Sequence, residues 1–133
     1  MTNTYLDKSY WNGMIKMSLS RLFILRILYE RPLHGYEISK KIAALTDGCC
    51  APTEGALYPA LHEFAEEGYL NCKDEIVRGR KRKVYALTDK GLKACRIGLE
   101  AWEETAKTLL CSRRLMAESD SCCKLETVTK RKN

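Results

Sequence analysis

The clearest candidate for chemistry in this sequence is a cationic segment. Residues 78–83 hold five Lys or Arg side chains around Gly79. Cations spaced this closely suit a polyanion, because each can neutralise a phosphate and release a counterion. The 133-residue chain as a whole carries 23 Lys and Arg against 17 Asp and Glu, a net charge of +6. Taken alone such a run is often a solvated loop, so its meaning depends on the elements around it.

The second candidate is a set of thiols. Four of the seven cysteines form two vicinal pairs, Cys49 with Cys50 and Cys122 with Cys123, and no C-x-x-C spacing typical of zinc occurs. Thiolates are soft ligands, so the four cysteines predict a site for a thiophilic ion such as trivalent arsenic, mercury, lead or cadmium. A thiol redox switch is an open alternative. So is simple cytosolic thiol usage, with Cys72 and Cys95 as small apolar fillers.

Composition and motifs argue against several classes of protein, namely membrane proteins, exported proteins and enzymes. With 45% hydrophobic and 30% charged residues, the chain is typical of one globular domain with an appendage. It contains no apolar run near the roughly 20 residues of a membrane span and no signal for export, so we expect a cytoplasmic protein without a membrane partner. Only His34 and His62 could serve as histidine bases, and no phosphate loop or nucleophile motif is present. We expect no enzyme activity and no obligatory cofactor.

The order of predicted elements gives the fold class. An N-terminal arm (1–17) precedes a buried helix that starts at Ser18 and ends before Pro32. A short amphipathic helix and a third helix opening at 52–55 follow, then two short strands, 69–73 and 83–87, joined by a basic loop. Three helices followed by a hairpin is the winged helix-turn-helix arrangement. The prediction is a mainly α protein with a small β-hairpin, its DNA-binding domain covering residues 18–88.

A long final helix, residues 89–110, is predicted to mediate homodimerisation, and residues 111–133 are predicted to form a flexible, cysteine-containing basic tail. Apolar residues recur along this helix at steps of three and four, which favours coiled-coil-like pairing. The seam consists of Leu92, Cys95, Leu99, Trp102, Ala106 and Leu109. Packing of the seam on the first helix is the alternative.

In a winged helix the third helix enters the major groove and reads base edges, while neighbouring elements hold phosphates. The partner is therefore predicted to be double-stranded DNA. The candidate contacts are Thr53, Glu54, Ala56, Tyr58, His62, Arg78, Arg80, Lys81 and Arg82, and Lys40 on the second helix could add a phosphate contact. A winged-helix adaptor that binds protein instead of DNA is the alternative, but it would not need the cationic wing.

Several motifs can then be taken together: LHGYEI at 33–38, P-x-x-G-x-L-Y-P-x-L at 52–61, EEG at 66–68, G-R-x-R-K-x-Y-x-L-T at 79–88, and Gly91. Over residues 14–110 they resemble the PadR family of bacterial transcriptional regulators. The resemblance implies a dimeric repressor on a palindromic operator, with Tyr36, the start of the third helix and the basic wing at the DNA. Local physics fits this resemblance. Pro59 is expected in the first turns of that helix, where its missing N–H costs least, and Tyr85 can pack its ring while its hydroxyl stays in water.

The family does not share one ligand, and this chain departs from it at Cys49 and Cys50, near which relatives usually carry a tryptophan. We therefore expect release from DNA by a thiol-binding metal or metalloid ion. Control by thiol oxidation, or by a flat organic ligand between Trp11 and Trp102 at the dimer interface, stays open.

Overall fold

The computed structural model describes residues 3–118, which divide into two compact units between Arg96 and Ile97. Its elements in chain order are a 3-10 turn (Thr4–Leu6), α1 (Lys8–Glu30), β1 (Leu33–His34), α2 (Gly35–Thr46), α3 (Glu54–Glu66), β2 (Leu70–Val77), β3 (Arg80–Leu87) and α4 (Asp89–Glu118). The fold is mainly helical with one small antiparallel sheet, as predicted from the sequence.

The first helix begins well before the predicted Ser18. Asp7, in an extended conformation, caps α1, and its carboxylate accepts hydrogen bonds from the Ser9 backbone N–H (2.9 Å) and hydroxyl (2.8 Å). These bonds favour the ionised carboxylate and lower the pKa of Asp7. Most of the predicted N-terminal arm is therefore helix, because a capping residue, Asp7, lies upstream of Ser18 and Ser20. At the other end, Pro32 forces Arg31 into extended backbone and ends α1.

The second and third helices lie close to their predicted positions. Asp47 and Gly48 end α2 with positive φ angles of 53° and 79°. Pro59 lies further inside α3 than expected. Counting from Glu54 it is past the first turn, so its missing N–H leaves the Gly55 carbonyl without its usual helical partner. Gly55 is exposed, so water can solvate that carbonyl.

The sheet has three strands in the order β1-β3-β2, all antiparallel. The short β1 was not predicted: Leu33 pairs with Tyr85 and His34 with Val84, although this segment reads as a turn in sequence. The hairpin strands are also longer than predicted. Arg78 (φ 51°) and Gly79 (φ 76°) alone form the turn, a two-residue connection whose positive φ angles suit the strand twist.

The basic run is therefore mostly strand, not loop. Residues 80–83 lie in β3 and pair with residues 74–77 of β2. This part of the hairpin extends beyond the hydrophobic core, so both faces meet water and the sequence lacks the alternation that marks a half-buried strand. That is why the two strands looked too short in the sequence.

A single core joins the helices to the sheet in the first unit. The fully buried large side chains are Ile24, Ile38, Ile42, Leu57 and Leu61. Leu33, Leu70 and Tyr85 bring the three strands into the same cluster. Burial of these side chains is the main force that holds the third helix and the hairpin in place.

The last helix is longer than predicted, since it reaches Glu118 and not residue 110. Thr88 caps it: its Oγ1 accepts the Gly91 N–H (3.1 Å) and donates to the Gly68 carbonyl (2.7 Å). Cys95 is buried in the core of the first unit, so it is not available to a partner chain as the seam prediction had it. Leu92 is half-buried.

In the second unit the described helix carries the rest of the predicted seam. Leu99, Trp102, Ala106 and Leu109 are exposed in the isolated chain. Ile97, Leu110 and Met116 are also exposed. Residues 119–133, which include Cys122 and Cys123, lie outside the described residues. Among the helices between residues 3 and 118, none has the length and hydropathy needed to cross a membrane.

Candidate nucleic-acid interface

Every residue nominated for DNA contact is exposed. Two of the aromatic ones keep almost half of their surface open to solvent, 44% for Tyr36 and 42% for Tyr58. Lys40 lies on α2; Thr53, Glu54, Ala56, Tyr58 and His62 lie at or on α3; Arg78, Arg80, Lys81 and Arg82 lie on the hairpin. The structure thus presents the whole nominated set to solvent, on three elements of one compact unit.

The start of α2 is held by an internal hydrogen-bond pair. The His34 backbone N–H donates to Glu37 Oε1 (3.1 Å), and His34 Nδ1 lies 2.9 Å from the same oxygen. These two interactions lower the pKa of Glu37. The Tyr36 ring stacks on the His34 ring with 5.5 Å between centroids. The first turn of α2 therefore holds Tyr36 in a defined position at the surface.

Tyr36 in turn contacts the wing. The Arg82 guanidinium carbon lies 5.1 Å from the centroid of the Tyr36 ring, within the range of a cation–π interaction. Arg82 pairs across the hairpin with Glu75, whose carboxylate lies 3.5 Å from His34 Nε2. The start of α2 and the wing are thus joined by an aromatic and charged contact network.

The alternation of strand residues divides the wing cations between two faces. Arg80 and Arg82 share one face of β3, and Lys81 and Lys83 share the other with Tyr85. Lys81 Nζ lies 3.5 Å from Asp74, so part of its charge is balanced within the hairpin. The arginine face is the one that continues into Tyr36.

A second contact joins α2 to α3. A Cβ on Gly35 would lie 2.9 Å from Cε1 of Tyr58, so the Tyr58 ring packs against the bare backbone of Gly35. Only glycine allows this approach, because any larger residue would push the ring aside. Tyr36, within the first turn of α2, and Tyr58 of α3 therefore lie at the same end of α2.

Tyr85 lies beneath this junction, and its environment differs from the expectation. Only 5% of the residue is exposed, so its hydroxyl is not in water. Burial, followed by the neighbouring Cys72, raises the pKa of Tyr85 to about 12. The difference arises because the Tyr85 ring belongs to the hydrophobic core cluster of the first unit, which the sequence prediction did not foresee.

The outer face of α3 contains no cation. The helix has three acidic residues, Glu54, Glu63 and Glu66, and no Lys or Arg. Glu63 lies 2.7 Å from Arg21 of α1, and Glu66 lies 3.2 Å from His62 Nε2. His62 is thus paired within its own helix, about two turns beyond Glu54.

The vicinal thiols occupy the loop that leads into α3. Cys49 is half-buried and Cys50 is 3% exposed, and their Sγ atoms are 3.1 Å apart. Burial raises the pKa of the Cys50 thiol to about 12, with Cys49 adding to the effect. Between residues 3 and 118, no three His, Cys, Asp or Glu side chains lie close enough together to hold a metal ion.

Sequence reasoning missed the acidic partners of the wing. Asp74 and Glu75 stand opposite Lys83 and Arg82 in the hairpin. The sequence contains a sign of this pairing. Glu75 and Arg82 are each three residues from the Arg78–Gly79 turn, and Asp74 and Lys83 are each four residues from it. Placing the turn at those two residues would have revealed the pairing.

Comparison with known proteins agrees with this geometry. The family model described as "Transcriptional regulator PadR-like family" matches residues 24–97, which is more than half of the chain. That span includes all of the nominated DNA contacts and the Cys49–Cys50 pair. It stops where the first compact unit ends.

Two curated relatives are regulators. The chain is 32% identical over 90 residues to "Transcriptional regulator Rv3488" of Mycobacterium tuberculosis. The matched segment covers 68% of this chain and 81% of that protein. It is 39% identical over 71 residues to "Transcriptional regulator YqjI" of Escherichia coli, covering 53% of this chain. The chain spans only 33% of the length of YqjI.

Solved structures give the same assignment. A transcriptional regulator from Clostridium thermocellum is 30% identical, with a TM-score of 0.64, and the match covers 71% of this chain and 93% of that one. A PadR-like regulator from Bacillus cereus is 26% identical, with a TM-score of 0.64 and coverage of 78% and 97%. The proteins of this family are transcriptional regulators and not enzymes. The chain therefore belongs to the PadR-like family of transcriptional regulators.

Proposed function

We propose that this regulator binds double-stranded DNA through α3 and the arginine face of the hairpin. The supporting observation is the contact network that joins Arg82 to Tyr36 and Gly35 to Tyr58 across three elements. It presents aromatic and cationic side chains as one exposed surface. Regulators of this family generally bind DNA, and the wing cations supply the salt-dependent part of such binding.

The working unit is a homodimer that acts as a repressor on a palindromic operator. The exposed apolar residues of α4, Leu99, Trp102 and Leu109, support self-association, because a single chain leaves them in water. A twofold dimer places two recognition helices about one helical turn of DNA apart, so each binds one half-site.

A mobility-shift titration on the DNA upstream of the protein's own gene tests this function. We expect a retarded complex whose affinity falls steeply between low and physiological salt, with two chains per operator. A protein that leaves this DNA unshifted, and selects no sequence from a random pool, would refute the proposal. The same result would favour the alternative of a protein-binding winged-helix adaptor.

The effector is a thiophilic metal or metalloid ion at Cys49 and Cys50. With metal–sulfur bonds of about 2.3 Å, sulfurs 3.1 Å apart subtend an angle of about 85° at the ion, narrower than the tetrahedral angle that zinc requires. Trivalent arsenic suits such a pair: arsenous acid forms an As–S bond to each thiol and releases two molecules of water. Cys122 or Cys123, which lie outside the described residues, are candidates for a third ligand.

The loop that holds these cysteines couples binding of the ion to the position of α3. Cys50 N–H donates to Thr46 Oγ1 (3.2 Å), and the Pro52 carbonyl accepts a hydrogen bond from Ser39 (3.0 Å). An ion that draws the buried Cys50 sulfur out of the core strains both anchors. Because Thr53 directly follows this loop and is the N-cap residue of α3, the recognition helix shifts with it and leaves its operator.

The test adds arsenite, mercury, lead, cadmium or an oxidant to the operator complex. We expect arsenite or another of the ions to release DNA from the wild type but not from the Cys49→Ser, Cys50→Ser double variant. Cys72→Ser, a half-buried thiol on β2, is the control and responds as the wild type. Release by oxidant alone favours a redox switch, and equal release from wild type and double variant excludes both thiols.

A further inference from the structure

The acidic residue at the start of the recognition helix stands out on this surface. Glu54 is exposed and is the first residue of α3. In the part of the chain that the structure describes, its carboxylate makes no hydrogen bond or ion pair. The other two acidic residues of α3 are engaged, Glu63 with Arg21 and Glu66 with His62. Glu54 is therefore the one carboxylate of this helix that is free to take an outside partner.

Its position conflicts with binding to a polyanion. Glu54 shares an outer face of α3 with Tyr58 and His62, because residues at steps of four lie on one side of a helix. The N-terminal half of such a helix meets the base edges in the major groove. A carboxylate brought there is repelled by the phosphates on both sides. This repulsion is offset only where the carboxylate accepts a hydrogen bond from a base.

Base chemistry limits what that partner can be. In the major groove only the exocyclic amines of cytosine and adenine donate hydrogen bonds. The adenine amine is flanked by two acceptors, N7 of the same base and O4 of the paired thymine, which repel a carboxylate. The cytosine amine has one acceptor beside it, O6 of the paired guanine, and a C–H on its other side. Cytosine is therefore the better partner.

The absence of cations on α3 strengthens this conclusion. The commonest specific contact, Arg or Lys to guanine, requires a cation on the reading helix, and α3 has none. The arginines lie on the hairpin, where they suit phosphates. Hydrogen-bond reading by this helix thus depends on Glu54 and on uncharged side chains.

We propose that Glu54 is a specificity-determining residue that reads the amine of a cytosine in each operator half-site. This inference rests on the proposed DNA-binding function and adds the base that the helix selects. Glu54 then weakens binding to most DNA sequences through repulsion by the phosphates. Binding is preserved where a cytosine amine lies opposite the carboxylate.

The experiment selects the operator from a random pool with the wild-type full-length chain, and then measures binding to every single base-pair substitution in one half-site. We expect one position where cytosine is preferred by about tenfold over the other bases. Glu54→Gln moves that preference toward adenine, since an amide pairs with adenine N6 and N7. Glu54→Ala removes the preference and tightens binding to non-specific DNA.

Glu63→Gln is the matched control, because it neutralises a carboxylate of the same helix whose partner, Arg21 of α1, is not a nominated DNA contact, and it keeps the wild-type profile. Glu54 also faces the positive end of α3, so a change in melting temperature alone does not support the proposal. An unchanged profile in both Glu54 variants overturns this inference and leaves DNA binding intact. A wild type that selects no sequence overturns the proposed function and this inference together.

Discussion

Gly91 shows how one residue fixes the start of the last helix. A Cβ at this position would lie 2.1 Å from the Tyr69 carbonyl oxygen and 2.7 Å from Leu87 Cδ1. The backbone of α4 therefore contacts the backbone that precedes β2 directly. Thr88, three residues earlier, bonds to the same Tyr69 carbonyl (3.0 Å). Glycine is needed here for close approach and not for an unusual φ angle.

Gly91→Ala should therefore destabilise the chain. We expect a loss of about 2–3 kcal/mol in the free energy of unfolding, because the clash is with backbone that has little room to move. Gly13→Ala is the control: nothing lies within 4 Å of its added Cβ on the exposed side of α1, and it should stabilise by up to about 1 kcal/mol. Urea unfolding measures both, and equal stability of the two variants would contradict the packing argument.

Two buried groups, Cys50 and Tyr85, make the folded chain less stable at alkaline pH. The ordinary pKa values of Cys50 and Tyr85 are 9.0 and 10.0, and burial raises both to about 12 in the folded chain. The unfolded chain thus loses these protons at lower pH than the folded one. Their stabilising contribution is complete below about pH 9 and is lost as pH rises toward 12.

Unfolding free energy should fall between pH 9 and 12, with a slope of about 1.4 kcal/mol per pH unit for each ionising group. Tyr85→Phe, which keeps the ring and removes the hydroxyl, should make the decline shallower above pH 10. Chemical denaturation across this pH range measures it. The same slope in wild type and Tyr85→Phe would mean that the tyrosine does not contribute.

Among the elements, the sequence predicted correctly the helices whose regularly spaced hydrophobic residues are buried in the core. Ile38 and Ile42 placed α2, and Leu57 and Leu61 placed α3, because helical spacing of buried residues is a local signal. It failed for β1, whose two residues form a strand only because β3 lies beside them. It also shortened the hairpin, because the outer residues of the hairpin are exposed on both faces.

The same contrast applies to the candidate site. Residue type and element order were enough to nominate Tyr58 and Arg82, and the family resemblance added Tyr36. Their mutual contacts could not be foreseen, since they depend on the bare backbone of Gly35 and on which strand face carries Arg82. The pairing of Lys81 with Asp74 likewise follows from the hairpin register and not from the basic run itself.

The contact between Tyr36 and Arg82 can be measured as a coupling between elements. Tyr36→Ala and Arg82→Ala should each weaken DNA binding by about 1–2 kcal/mol, and the double variant by less than the sum, because both lose one cation–π contact. Lys81→Ala, on the other face, should combine additively with Tyr36→Ala. Fluorescence anisotropy titrations give the affinities. Full additivity of the Tyr36 and Arg82 changes would show that the contact has no role in binding.

For the whole molecule, the proposed homodimer depends on the second unit. Its described helix exposes Leu99, Trp102 and Leu109, an apolar set that a partner chain can cover. We expect Leu99→Lys with Leu109→Lys to give monomers in sedimentation experiments, since charges on a dimer seam oppose pairing. The monomer should keep its helical content and bind an operator much more weakly. A variant that stays dimeric would place the interface elsewhere.

In the proposed function the arginine face of the hairpin holds DNA phosphates. The most direct test is the dependence of operator affinity on salt concentration for the wild type, the Arg80→Ala, Arg82→Ala double variant, and Lys107→Ala, an exposed lysine of the second unit, as control. We predict that the slope of log affinity against log salt becomes shallower by about 0.9 for each arginine removed, at every DNA sequence tested, and stays unchanged for Lys107→Ala. A double variant with the wild-type slope would contradict the assignment of the hairpin as the phosphate-binding element.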